Sequence, residues 1–236
     1  MGGRGGGGGR SDGGWRHLAD ARNAGRAPSP PPVIPFPVVP GIPLIVDHVT
    51  RRNSTSAPGG ASDYGGMWTT SSGVIGVRNN ALYAPNGLGG DLAWMDAGKQ
   101  PSRVLGTINS PDYAKYPPLL VVRYIDALNY LYVRAQASNH KLALYSMDAG
   151  VETRITGTFD PTLVDGVPSV VEVDYSIPKS LIVYADNIFG IGVTLSQTLS
   201  NKFLSQTKIA VGFMNLTSGP VVANNGASVT DIQVYG

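Results

Sequence analysis

From about residue 43 onward, apolar and polar positions along the chain alternate with a period of two. The stretches LIVDHVT, GVIGVR, ALYA, SRVLGTI, PLLVVRYI, NYLYVRAQ, KLALYSM, ETRITGTF, SVVEVDYS, LIVYA, KIAVGFMN and SVTDIQVYG all carry this pattern. Successive side chains of a strand point to opposite faces, so each stretch predicts a short β-strand with a buried face. The stretches are rich in β-branched and aromatic residues, and the turn formers RNNA, SNH, DAG, DNIFG and NNGA separate them. A spacing of roughly 8–12 residues predicts an all-β, antiparallel sandwich or barrel. No long stretch has the helical period, which argues against a parallel α/β sheet.

Before residue 43 the alternation fails in two ways. Residues 28–43, PSPPPVIPFPVVPGIP, hold eight prolines in sixteen positions, which impose extended, polyproline-like backbone. The residues between them are apolar, Ile34 and Phe36 among them, where a solvated spacer would carry Ser, Thr or Glu. Such a strip suits docking along a surface, because little chain entropy remains to be lost, and it also serves as a semi-rigid linker. Residues 1–27 are rich in Gly, Arg and Ala, with seven glycines in the first nine positions, and have too few large apolar side chains to fold alone. The expected organisation is a Gly/Arg-rich arm over 1–27, a Pro-rich extended linker over 28–43 and a β-domain over 44–236.

Composition narrows the chemistry. Charged residues make up 14% of the 236, against roughly 25% in an average globular protein. The polar surface is therefore built from Ser, Thr, Asn and Gly, as suits extracellular or virion life and shared interfaces. Cysteine is absent, so there is no disulfide framework, thiol nucleophile or Cys-based zinc site. The net charge of +2 comes from the arm: residues 1–40 hold five arginines against two aspartates, and the rest hold thirteen basic against fourteen acidic residues. A near-neutral body argues against a nucleic-acid-binding face. No run of apolar residues is long enough to cross a membrane as a helix, and the N-terminus lacks the apolar core of a secretory signal. Synthesis in a host cytoplasm and release with a virus particle is the expected route.

The order of the strand stretches resembles a known pattern. DHVTRRNSTSAPGGASDYGGMWTTSSGVIGVRNNALYA reads as D-x-V-x-R-x-x-S-T-S, a Trp, a Gly-containing strand and then N-x-A-L-Y. LLVVRYIDALNYLYVRAQASNHKLALYSMDAGVETRI follows with an R-x-x-D-x-x-N-Y turn joining two strands. KSLIVYADN, the TLSQTLSNKFLSQTKIAVGFMN segment and VTDIQVYG close the chain. Together, over about 44–236, these are similar to the concanavalin A-like (laminin-G-like) jelly rolls common in phage tail proteins. The Gly-rich start and Pro-rich stretch look like minor tail proteins of phages infecting actinobacteria. The resemblance implies an antiparallel jelly-roll β-sandwich with an extended N-terminal arm, carried on a virion.

Catalytic patterns are sparse. Some folds of this family are glycosidases, which need two carboxylates across the scissile bond, held in the glucanase branch by a Glu-x-Asp-x-Glu strand. Here Glu172 and Asp174 share a strand face, but Ser176 stands at the third position, so both are expected to be polar residues of a solvent face and the chain is read as no enzyme. His17, His48 and His140 lack zinc-ligand spacing. No cofactor is expected. Laminin-G-like folds often hold calcium at a sandwich rim, which the resemblance extends to the turn pairs Asp126/Asn129 and Asp186/Asn187, although Asp and Asn also occupy turns for backbone reasons.

A glycan or partner contact needs aromatic rings beside hydrogen-bonding groups. Trp94 and Asp96 in GGDLAWMDAGKQ, and Tyr113 and Tyr116 in the Pro-rich loop NSPDYAKYPP, are the surface candidates. Trp68 is expected to be structural, and Tyr130 and Tyr132, two apart on one strand, to be core or cross-strand partners. In the arm, Arg4, Arg10, Trp15 and Arg16 join Ile34 and Phe36 as assembly contacts, since glycine lets backbone press close to neighbours and Arg finds carboxylates or carbonyls.

Three function classes result. The first is a minor tail component of a phage virion, mounted by its arm among other tail proteins, homo-oligomeric with a trimer favoured, presenting the jelly roll to a host cell-envelope glycan; capsid decoration is a variant of it. The second, a nucleic-acid binder using the GGR repeats, is disfavoured by their small number and the single interleaved Trp15. The third is a carbohydrate-binding lectin-like module acting without a particle.

Overall fold

In the computed structural model, which describes residues 41–61, 63–87, 89–217 and 226–236, the alternating stretches are strands. In chain order these are β1 (Pro43–Asp47), β2 (Thr69–Ser72), β3 (Gly76–Arg78), β4 (Ala81–Tyr83), β5 (Asp91–Asp96), β6 (Arg103–Asn109), β7 (Pro118–Asp126) and β8 (Asn129–Ala135). There follow β9 (Lys141–Asp148), β10 (Val151–Arg154), β11 (Phe159–Thr162), β12 (Ser169–Asp174), β13 (Ser180–Ala185), β14 (Ile188–Thr194), the short helix α1 (Gln197–Phe203), β15 (Lys208–Phe213) and β16 (Ser228–Tyr235). All pair antiparallel into two sheets. The first runs β14-β13-β12-β6-β16-β4-β3, with β1 beside β16; the second runs β10-β9-β8-β7-β15-β5-β2, with β11 beside β9.

The two sheets pack face to face as a jelly-roll sandwich. The period of two explains which residues meet inside: Val104 and Ile108 of β6, Val171 and Val173 of β12, and Leu181 and Val183 of β13 oppose Leu120, Val122, Leu131, Val133, Leu142 and Leu144 of the second sheet. Three hairpins turn through residues held at positive φ: Asn79 and Asn80, Ala149 and Gly150, and Asp186 and Asn187. Asn, Asp and Gly tolerate that region, so RNNA and the DN of DNIFG each reverse the chain tightly; in DAG only Gly150 has that tolerance, and Ala149 is held at positive φ beside it. At the start of the domain, Ile42 and Gly236 exchange both backbone hydrogen bonds.

The D-x-V-x-R…W sequence has a physical purpose. Asp47 is fully buried and accepts from the two terminal Arg51 guanidinium nitrogens at 2.7 and 3.0 Å, from Trp68 Nε1 at 2.6 Å and from the Val49 N–H at 2.8 Å. Burial alone would raise its pKa, but the hydrogen bonds from Arg51, Trp68 and Val49 outweigh that and hold it below the ordinary carboxylate value. The network clamps Val49, Arg51 and Trp68 onto the end of β1. Trp68, 5% exposed, is structural as its position implied.

Three strands lie outside the alternating stretches: β2, built of Thr and Ser alone, β5 and β14. β5 carries DLAWMD, which lies among glycines, and β14 begins inside DNIFG, whose second half continues as strand. ETRITGTF is split between β10 and β11.

Candidate functional site

Aromatic residues gather on the outer face of the second sheet. Trp94 of β5 stacks on Tyr124 of β7 at 6.2 Å between ring centroids, and Tyr124 on Tyr130 of β8 at 6.4 Å. Tyr130 and Tyr132 lie 5.2 Å apart, and Tyr132 stacks on Tyr145 of β9 at 5.4 Å. Plain alternation from Leu119 and Val121 would aim Arg123 outward and Tyr124 inward. A register shift in β7 between Val121 and Arg123 reverses this. Arg123 then turns inward, donates to the Val122 and Pro101 carbonyls and lies 3.9 Å over the Tyr175 ring, while Tyr124 joins the outer row.

The row is closed. Tyr124, Tyr130, Tyr132 and Tyr145 are 2%, 3%, 0% and 4% exposed. Lys208 sits 4.1 Å over Trp94, and Arg134 sits 4.1 Å over Tyr145. Glu152 accepts from Arg134 at 2.6 Å and from the Tyr132 hydroxyl at 2.6 Å. Burial pushes the Tyr130 phenol up to about 12 and moves Tyr132 further in the same direction. Tyr130 and Tyr132 are the packed cross-strand partners their spacing predicts. Trp94, half-buried, belongs to this row under the Lys208 ammonium.

An open groove lies beside it. Asp63, Tyr64, Gly65 and Gly66 line one side of a cavity of about 450 Å³, and Asp96 and Gly98 at the end of β5 line the other. Backbone pairing with Val46, in which each residue donates to the other's carbonyl, fixes Tyr64 while leaving its residue 57% exposed. Gly65 stands at φ +133°, and a Cβ there would meet Met95 Sδ at 3.1 Å and Ala61 Cβ at 3.2 Å, so only glycine fits this close approach. Asp96 accepts from the Gly98 N–H at 2.9 Å. That bond and one from the Thr207 side chain hold its carboxyl below the ordinary value. An exposed ring beside an ionised carboxylate and bare glycine backbone can stack on an apolar ring face and accept hydrogen bonds from hydroxyl groups. A second cavity, about 500 Å³, is lined by Asn53, Ser54, Thr55, Ser56, Arg78 and Tyr83.

The structure redistributes the other expected site residues. Tyr113 is no surface residue: it is fully buried, its hydroxyl donates to the Ile108 carbonyl at 3.2 Å, and burial raises its pKa. Tyr116 is half-buried against the same core. Proline keeps this loop out of the sheets but not out of the core; the loop is tied to residues 165 and 166 by the Tyr113 N–H to Asp165 and by the Gly166 N–H to the Ser110 carbonyl. Glu172 pairs with Arg103 at 2.5 Å, and Asp174 accepts from the Ser176 N–H at 2.6 Å. Both are partly buried polar residues of β12 rather than residues of an open solvent face. Arg4, Arg10, Trp15, Arg16, Ile34 and Phe36 lie outside the described residues.

The side chains considered for calcium make hydrogen bonds within their turns and to neighbouring elements. Asn129 donates to both Asp126 oxygens and accepts from Lys202 at 2.6 Å, and Asp186 accepts from the Val170 N–H at 2.8 Å. Topology instead brings together a set that spacing could not reveal. Asp112, His140 and Asp165, from three separate loops, place ligand-type atoms within 4.8 Å of one another. Lys115 pairs with Asp112 at 2.7 Å in this cluster.

No protein-family model matches the sequence, and no curated protein matches it. Among solved structures, the carbohydrate-binding module CBM66 from Bacillus subtilis aligns at 11% identity, covering 72% of this chain and 95% of that one, with a TM-score of 0.51. A carbohydrate esterase of the Shiga toxin-encoding bacteriophage phi24B aligns at 16% identity over 84% of this chain and 100% of that one, TM-score 0.48. A tetrameric galectin from the ball sponge Cinachyrella aligns at 19% identity over 61% and 99%, TM-score 0.44. At such identities the likeness to the binding module shows a shared fold.

Proposed function

We propose that this chain is a phage minor tail protein whose jelly roll binds a carbohydrate of the host cell surface in the groove of Tyr64, Asp63 and Asp96, without catalysis. The exposed Tyr64 ring beside ionised Asp96 carries the reading. Sugars present one apolar ring face and a rim of hydroxyls, and this groove offers one flat ring with acceptors at its edge. Two carboxylates at one groove repel uronic, sialic or sulfated sugars, so the fitting class is a neutral glycan. The shared fold with a carbohydrate-binding module supports the same reading. The low charge, the absence of cysteine and the tail-protein resemblance support a virion location, with residues 1–40 as the mounting arm among other tail proteins.

The test is titration of the full chain against neutral and acidic oligosaccharides. Neutral sugars bind, and Tyr64→Ala and Asp96→Ala each weaken affinity by at least about tenfold with the fold intact. Binding confined to acidic glycans, or unchanged in both variants, removes the groove from the account. Mass spectrometry of purified particles tests the virion part, and a chain absent from them ends it.

A further inference from the structure

A sheet edge presents unpaired backbone groups, and proteins usually protect such edges. Five of the exposed edges here carry an identifiable device: shortness, a proline, charge, polar side chains or pairing with a loop. In the first sheet, β3 is three residues long and its Val77 exchanges backbone hydrogen bonds with Ser54, while β1 starts at Pro43 and has Val46 paired to Tyr64. In the second sheet, β10 is short and carries Glu152 and Arg154, and β11 holds Asp160 and Pro161. β2 is four residues of Thr and Ser.

β14 differs from all of these. It is the terminal strand of the first sheet, and among the described residues it pairs with β13 alone. Its seven residues, IFGIGVT, include no charge and no proline. Its register shift falls at Gly190, under the Phe159 ring, and leaves Ile191 to Thr194 regularly paired. Apolar side chains extend the strip: Ile188 is 52% and Phe189 57% exposed, Val170 is joined to the hairpin tip through Asp186, and Ile177 is joined to its far end through Ser180.

We infer that β14 pairs antiparallel with β14 of a second copy of this chain, forming a two-fold dimer near Gly192. Antiparallel pairing of identical strands is self-complementary, so one edge left unpaired among the described residues suffices for a closed dimer. An uncharged strip meets its own copy without repulsion, whereas a charged partner would leave its charges unpaired. A two-fold arrangement departs from the trimer expected from the sequence. β14 and β1 lie at opposite edges of the first sheet, so the Tyr64 groove beside β1 stays uncovered in each protomer. If that groove binds glycan as proposed, the dimer is bivalent and gains avidity on a repetitive surface.

The test is the mass of the full chain by light scattering across a wide concentration range. Gly192 has ordinary φ and open space where a Cβ would stand, so Gly192→Lys leaves the fold intact, as its unfolding midpoint checks. The full chain has the mass of two copies, and Gly192→Lys raises the dimer dissociation constant by about a hundredfold or more. Gly192→Ala keeps the dimer. A full chain that stays monomeric throughout, an assembly of three copies, or an assembly unchanged by Gly192→Lys overturns the inference. Glycan titration reads separately, so loss of sugar binding with an intact dimer counts against the groove and not against the edge.

Discussion

The aromatic row on the second sheet and the groove at Tyr64 both display tyrosine near carboxylates, yet they do opposite work. In the row each ring's partner is another ring or a guanidinium, and Glu152 is already engaged by Arg134 and Tyr132. In the groove the Tyr64 backbone is fixed by Val46 while the ring faces water. Aromatic density therefore marks packing on this domain, and the isolated Tyr64 ring on its immobilised backbone marks the surface we propose for a ligand. Trp94 shows the boundary, since it shares a strand face with Asp96 but lies in the row under Lys208.

Substitutions break this comparison in descending order. Tyr132→Ala opens a hole in the row and costs about 3–5 kcal/mol in denaturant unfolding, and a loss under about 1 kcal/mol would mean the row is not a packed unit. Arg51→Ala strands the buried Asp47 carboxylate and costs about 3 kcal/mol at neutral pH. Because Asp47 is held below its unfolded pKa, its contribution is full above the ordinary carboxylate value and is lost as the pH falls through the folded value. In Arg51→Ala that acid-sensitive part shrinks, which unfolding measured across acid pH reads directly. At the alkaline end, Tyr130 is raised from 10.0 to about 12. The stabilisation from its neutral phenol is present below the unfolded value and disappears as the pH rises through the folded one. Row phenolates should therefore appear in the ultraviolet spectrum only as the domain loosens in that window. Tyr64→Ala sits at the small end, changing stability by no more than about 0.5 kcal/mol while removing sugar affinity.

The sandwich was legible because half-buried strands must alternate, as β6 and β12 do residue by residue. Asp47, Arg51 and Trp68 stood out as part of the resembling pattern, but their mutual bonds were not legible, because Trp68 lies 21 residues beyond Asp47 and only the fold brings it back. Nor was Tyr124, because the register shift in β7 changes facing without changing composition. Tyr113 misled because prolines report that a loop is not a strand and say nothing of where the loop packs. Tyr64 passed unnoticed because its exposure depends on pairing with Val46, a contact across a long loop. The Asp112, His140 and Asp165 cluster joins three loops that only the completed topology brings together.

The mutual hydrogen bonds between Ile42 and Gly236 place the two ends of the domain side by side. A unit that enters and leaves at one point can be spliced into a surface loop of another protein, or exchanged for a different sandwich, without stretching either host or insert. In recombination terms this domain has the geometry of a cassette: one sandwich can replace another while the framework that carries it is left as it was.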